Sequence, residues 1–146
     1  MLRKAVKGDE FGIHKLIVEL AVYEKEPNAV IVSAQDLGKH LFDEKICDAF
    51  VIDLDGEIIG FALYFISYST WKGKCLYLED FVVTQSYRGK GYGKQLFLKV
   101  KEEAQILGMK RMSWQVLEWN TSAIEFYKSF EAELDSEWLN GRFSFD

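Results

Sequence analysis

The stretch from Leu76 to Lys94 constrains this chain more than any other: LYLEDFVV, then TQSY, then RGKGYGK. Its first part is rich in β-branched, aromatic and leucine residues and reads as a buried strand. The glycines after the short connector read as a turn that opens a helix. Such a turn leaves main-chain N–H groups without intrahelical partners, and the helix dipole lies behind them. A phosphate or diphosphate is the natural occupant of a site of that kind.

Two common glycine-loop templates fail on this stretch. Gly-x-x-x-x-Gly-Lys-Ser/Thr fails because Gly93-Lys94 has Arg88 at the first position and Gln95 at the last. Gly-x-Gly-x-x-Gly fails from Gly89, where the last position is Lys94, and from Gly91, where it is Leu96. The pattern that fits is Arg/Gln-x-x-Gly-x-Gly/Ala, met by Arg88, Gly91 and Gly93. Directly after a strand, it resembles the acetyl-CoA pyrophosphate loop of the GNAT superfamily of N-acetyltransferases. An ordinary turn and helix start is the alternative reading of the loop taken alone.

Composition limits the classes that remain. At 146 residues the chain has the length of one domain. A single proline argues against a disordered or linker-rich chain. No apolar run approaches the length of a membrane span, and Met1–Val6 lacks the apolar core of a signal peptide. Cys47 and Cys75 are too few for a disulfide framework, so a cytoplasmic location is expected. The net charge of −5 disfavours nucleic acid and suits a small cationic partner. No spaced His/Cys/Asp/Glu set suggests a metal, and His14 and His40 read as surface residues.

Periodicity gives the order β-α-α-β-β-β-α-β-α-β-β. Leu2–Val6 reads as a strand. Asp9 reads as the cap of a helix carrying the stripe Ile13, Leu16, Ile17, Leu20 and Ala21. Ser33 with Asp36 resembles a capping box for a helix to about Asp43. Asp55-Gly56 is a two-residue hairpin signal between strands 49–54 and 57–67. A helix follows from Gly91 to Gly108, with Leu96, Val100, Ala104 and Leu107 facing the core. Arg111–Leu117 reads as a strand, Asn120 or Thr121 caps a helix through Phe130, and two short strands follow near 134–138 and 142–145. The expected fold is a single-domain α/β GNAT fold, with a mixed central sheet of about seven strands and helices on both faces. The resemblance further implies that strands 76–83 and 111–117 splay apart around the pantetheine arm.

Motifs along nearly the whole chain narrow the resemblance. Leu76–Phe81, Tyr87-Arg-Gly89, Glu118-Trp-Asn120 and Phe126-Tyr-Lys128 look like the diamine acetyltransferases, the spermidine/spermine and thialysine branch. Tyr23-Glu24 and Trp71-x-Gly73 resemble that branch as well. It implies Tyr127 as proton donor to the leaving thiolate and Glu79 as the base that frees the amine, directly or through water. It implies cofactor contacts from Phe81, Val82, Val83, Arg88, Gly89, Lys90, Gly91, Tyr92, Gly93, Lys94, Asn120, Ser122 and Ala123. Tyr23, Glu24, Trp71, Glu79 and Asp80 would bind substrate, and a homodimer is implied with substrate residues shared across its interface.

Residue chemistry supports those roles and also offers plain alternatives. An alkyl ammonium, with a pKa of ~10.4, must lose a proton before it can attack a thioester. Regular strand geometry would send Glu79 and Asp80 to opposite faces, and a bulge would alter that and free N–H groups of Phe81–Val83. Otherwise one of the two is a solvated strand carboxylate. Tyr127 could instead pack in a core with Phe126 and Phe130, and Asn120 also suits an N-cap. Two departures bear on the acceptor: Glu131-Ala132 stands where the family has Gly-Ala, and Asp135–Asn140 aligns poorly, with Glu137 a possible replacement acid. The expected activity is acetyl transfer from acetyl-CoA, without a metal, to a small di- or polyamine or a lysine-like amino acid in a ternary complex. A protein lysine or N-terminal acetyltransferase and a non-catalytic acyl-CoA-binding module are the alternatives.

Overall fold

The computed structural model describes residues 1–145. Residues 1–114 form one compact unit and residues 115–146 a second. In the first unit the strands are β1 (Leu2–Lys4), β2 (Asp48–Leu54), β3 (Glu57–Ser69), β4 (Gly73–Val83) and β5 (Met112–Ser113). They make one sheet in the order β1-β2-β3-β4-β5, antiparallel except for the parallel pair β4–β5. The helices of this unit are α1 (Glu10–Tyr23), α2 (Ala34–Gly38), which continues as a wider turn over Lys39–Asp43, and α3 (Tyr92–Ile106). The second unit contains α4 (Thr121–Lys128).

Helices cover both faces of the sheet. On one face, Ile13 and Leu16 of α1, with Leu37 and Leu41, pack against Ala49, Val51, Phe61, Leu63 and Val82. On the other, α3 buries Leu96, Phe97, Val100 and Ala104, and Phe97 meets Phe81 with ring centroids 5.8 Å apart. This alternation is what period-two strands between two helical layers require.

Local chemistry sets several element ends. Asp55 (φ 52°) and Gly56 (φ 90°) make the expected two-residue hairpin turn between β2 and β3. The Ser33 hydroxyl accepts from the Asp36 N–H at 3.0 Å, closing the expected cap of α2.

Asp9 behaves differently from its expected role. It stands before α1 without capping it, because its carboxylate accepts from the Val6 N–H (2.8 Å) and pairs with Arg3 (2.7 Å). Arg3 also reaches Asp53 at 3.0 Å, so one guanidinium joins β1 to the entry of α1 and the end of β2.

The sheet has five strands among the described residues, not about seven. The segments near 134–138 and 142–145 contain no strand, and the strand expected over 111–117 shortens to Met112–Ser113. Their alternating pattern is a strand preference without a ladder partner, and backbone hydrogen bonds are what complete a strand. Leu107 is half exposed, because α3 ends at Ile106 and Gly108 (φ 72°) turns the chain away. His14 is half-buried, its Nε2 lying 2.8 Å from the Val32 carbonyl, which ties α1 to the segment before α2. Among the described residues no helix is long and apolar enough to cross a membrane.

α1 lies tight against the sheet at Gly12, where an added Cβ would lie 2.7 Å from Cβ of Ile58. Gly12→Ala is therefore expected to destabilise the protein by about 1–3 kcal/mol, outweighing the ~1 kcal/mol an alanine adds to helix propensity. Urea unfolding of the two proteins checks this, and equal midpoints would refute the tight contact.

Candidate active site

The glycine turn has the backbone conformation its sequence requires. Gly89 (φ 79°) and Gly91 (φ 87°) both occupy the left-handed region that side chains disfavour. Gly91 is the N-cap of α3, and no side chain caps the first turn of that helix. The N–H groups of that turn are thus left without a side-chain acceptor, beside the cations Arg88, Lys90 and Lys94. An added Cβ at Gly93 would meet Phe81 and Val83 at 3.8 and 3.9 Å, so the helix start sits directly on the end of β4. Donors, dipole and charge fit a diphosphate.

β4 supplies the second part of the site. Its pairing with β3 runs Leu63↔Asp80 and then Tyr64↔Leu78, so Glu79 is an extra residue opposite that step. This is the bulge a substrate-side strand of this kind needs, and it resets the alternation. Asp80 pairs with Leu63 and so shares the α1 face with Val82, while Phe81 and Val83 lie on the α3 face. β4 pairs with β5 only at Leu76↔Met112 and Tyr77↔Ser113. Beyond Tyr77, that edge of β4 runs to Val83 with no strand paired to it among the described residues, next to the glycine turn.

Carboxylates gather at this edge. Burial pushes the Asp80 carboxyl up to about 7, and the nearby charges of Glu79 and Glu24 push in the same direction. Glu24, at the end of α1, is also raised by burial. The Tyr77 phenol is raised by burial and by Glu79 and Asp80, and its ring packs on Phe65 at 5.3 Å. Glu79 itself is exposed. The structure thus brings Glu24, Glu79 and Asp80 together, and a carboxyl near 7 is suited to accept a proton at neutral pH.

The remaining expected residues are placed less uniformly. The Tyr23 ring lies under the Arg88 guanidinium, 5.5 Å from its centroid, and so stands at the cofactor loop. Trp71 is 93% exposed at the tip of the β3–β4 hairpin. Strand rise alone sets the tip roughly 20 Å or more from Asp80, so the structure does not unite Trp71 with the acids. In the second unit Asn120 Oδ1 accepts from the Ala123 N–H (3.3 Å) and Ser122 Oγ (3.4 Å), capping α4. Tyr127 is buried, with the Phe126 ring 5.6 Å away, and Phe126 in turn meets Phe130 at 5.1 Å. Sequence reasoning passed over Glu19 and Thr84, which meet at 2.8 Å beside the loop. The available signal was that Glu19 and Tyr23 are one helical turn apart on α1.

A glycine turn suited to a diphosphate, in a mixed sheet with helices on both faces, fits the class of acyl-CoA-dependent transferases. A family model described as "Acetyltransferase (GNAT) family" matches residues 13–131. Among curated relatives, a thialysine N-epsilon-acetyltransferase of Bos taurus is 39% identical over 142 residues, covering 91% of this chain and 84% of its own. Among solved structures, an integron cassette protein from the mobile metagenome of V. cholerae matches with a TM-score of 0.80 and 27% identity, over 100% of this chain and 93% of that one. AAC(6')-Iy in complex with a bisubstrate analog, CoA-S-monomethyl-acetylneamine, has a TM-score of 0.81 at 21% identity, over 99% and 98%. The chain belongs to the GNAT family of acetyltransferases. Acetyl-CoA is the acyl donor of that family, and it supplies an activated thioester carbonyl when bound.

The raised Asp80 pKa has a consequence for stability. The folded protein retains a proton that the unfolded chain, with an aspartate near its ordinary 3.8, gives up earlier as pH rises. The stability linked to that proton is complete below about pH 4 and is lost as pH climbs through about 7. Asp80→Asn cannot ionise, so it should raise the urea midpoint at pH 8 and change it little at pH 4. An equal shift at both values would show that Asp80 does not titrate where its burial puts it.

Proposed function

We propose that this chain transfers the acetyl group of acetyl-CoA to a primary amine of a small di- or polyamine, or of a lysine-like amino acid. The observation that carries this reading is the cluster of Glu24, Glu79 and Asp80 on the open edge of β4, beside the glycine turn. Clustered carboxylates attract an ammonium, and a second positive group on the acceptor can use a second acid. All three acids lie in motifs that carry the family resemblance. The thialysine acetyltransferase of Bos taurus supports an acceptor of this size and charge.

The roles follow from the chemistry. Asp80 takes the proton from the ammonium, since its carboxyl sits near neutral pH. The role expected for Glu79 becomes that of a neighbouring charge, which binds substrate and keeps Asp80 from ionising early. The amides of residues 89–94, with Arg88, Lys90 and Lys94, hold the diphosphate, and Phe81, Val82 and Val83 present the strand edge to the pantetheine arm. Asn120, Ser122 and Ala123 at the start of α4 contribute to the same arm. Tyr127 returns a proton to the departing thiolate, a role supported by the Phe126-Tyr-Lys128 motif. Direct attack needs no enzyme nucleophile.

The two units would act together as one catalytic domain, and two copies would form the working enzyme. Trp138, Leu139, Phe143 and Phe145 are largely exposed, and apolar surface of this kind suits burial against a second copy. A second copy would also offer a way for Trp71 to reach an active site.

Steady-state CoA release with spermidine, thialysine and a lysine-containing peptide tests the acceptor class. The two small amines should give kcat/KM at least tenfold above the peptide, and a preference for the peptide would overturn the reading. Tyr127→Phe is expected to lower kcat by about 10²-fold or more, with the Kd for acetyl-CoA nearly unchanged. Undiminished turnover would remove Tyr127 from its role.

A further inference from the structure

The connector between β4 and the glycine turn is held by a residue outside the loop motif. Glu19, on α1, receives three hydrogen bonds from it. Thr84 Oγ1 donates to Glu19 Oε1 at 2.8 Å, the Gln85 N–H donates to Oε2 at 3.2 Å, and Arg88 Nη2 donates to Oε2 at 3.4 Å. Arg88 is fixed from two further sides. Its Nε donates to the Val83 carbonyl at 2.9 Å, and its guanidinium lies over the Tyr23 ring. Glu19 and Tyr23 stand four residues apart, on one face of α1.

We propose that Glu19 is a positioning residue for the cofactor loop. It binds the connector through Thr84 and Gln85, so that the chain enters Gly89–Gly91 with the α3 amides already aimed at the diphosphate. Thr84 to Arg88 contains one short turn over Gln85–Tyr87 and no strand pairing of its own. A segment with so little internal support would otherwise sample other conformations, and ordering it would weaken each binding event. Glu19 removes that cost by tying it to α1, whose next turn carries Tyr23 and Glu24. The carboxylate also balances Arg88, which keeps that guanidinium on the α1 side of the turn. The anion is then met by main-chain N–H groups, by Lys90 and Lys94, and by a guanidinium already held in place.

This inference rests on the reading of the glycine turn as the CoA site, and calorimetry with CoA alone separates the two. If the natural protein gives no heat with CoA, the site assignment itself fails. If it binds CoA, Glu19→Ala is expected to weaken the Kd for CoA about tenfold or more. It should also raise KM for acetyl-CoA in parallel while kcat stays within about twofold. Glu19→Gln can accept from the Gln85 N–H through its carbonyl oxygen and donate its amide N–H to Thr84 Oγ1, so it should recover the Kd to within about threefold of the natural protein. A merely structural loss would lower the melting temperature without moving the Kd of the folded fraction. An unchanged CoA Kd in Glu19→Ala, or no recovery in Glu19→Gln, would overturn the proposal. Should Glu19→Ala not fold, Thr84→Val removes one of the same bonds from the opposite side. It must then weaken CoA binding about threefold, and full affinity in that variant would overturn the proposal as well.

Discussion

A single extra residue in β4 governs the chemistry of this sheet. With strict alternation Asp80 would share a face with Leu78, towards α3 and the ring of Phe97. An ionised carboxylate there would be buried among apolar groups at a cost of several kcal/mol. The bulge at Glu79 moves Asp80 to the α1 face, where it meets Glu24, and turns Phe81 and Val83 towards α3 in its place. The core of the α3 layer and the acid cluster thus have one origin. Regular pairing resumes at Asp80 and runs to Val83, so the bulge and the glycine turn lie close together along the chain.

The shortness of β5 is the second constraint. Parallel pairing over Leu76↔Met112 and Tyr77↔Ser113 anchors that edge, and no further strand pairs with Leu78–Val83 on that side among the described residues. A longer β5 would satisfy the main-chain groups of β4 and leave no polar edge for an amide-containing arm. The unpaired edge therefore depends on pairing that stops early. The glycines of the following turn make the complementary contribution, since their positive φ values let the backbone present N–H groups without side chains in the way.

How much of this was legible in the sequence follows the range of each interaction. The Asp55-Gly56 hairpin, the Ser33 cap and the α3 stripe were readable because their causes lie within a few residues of each other. Asp9 was misread because its partner, Arg3, lies on a neighbouring strand and outbids the helix N–H groups. The segments near 134–138 and 142–145 carried a strand pattern, yet a pattern does not supply a ladder partner. In the site, the glycine turn was legible since backbone conformation and motif coincide there. Which of Glu79 and Asp80 would be buried was not, because the answer depends on register with Leu63 and Tyr64 in β3. Glu19 was invisible for the same reason: its partners are 65 or more residues away.

The acid cluster also explains how a proton acceptor can be strong enough for an alkyl ammonium. Transfer from a group at ~10.4 to an ordinary aspartate is uphill by roughly 9 kcal/mol, a large share of any practical barrier. With the carboxyl near 7, the same transfer is uphill by roughly 5 kcal/mol. Burial supplies most of that change, and the charges of Glu79 and Glu24 add to it. An arriving ammonium relieves the repulsion among the three acids, so binding draws on the same strain that makes Asp80 basic. Under the role proposed for Asp80, electrostatic strain held in the fold serves both recognition of the amine and removal of its proton.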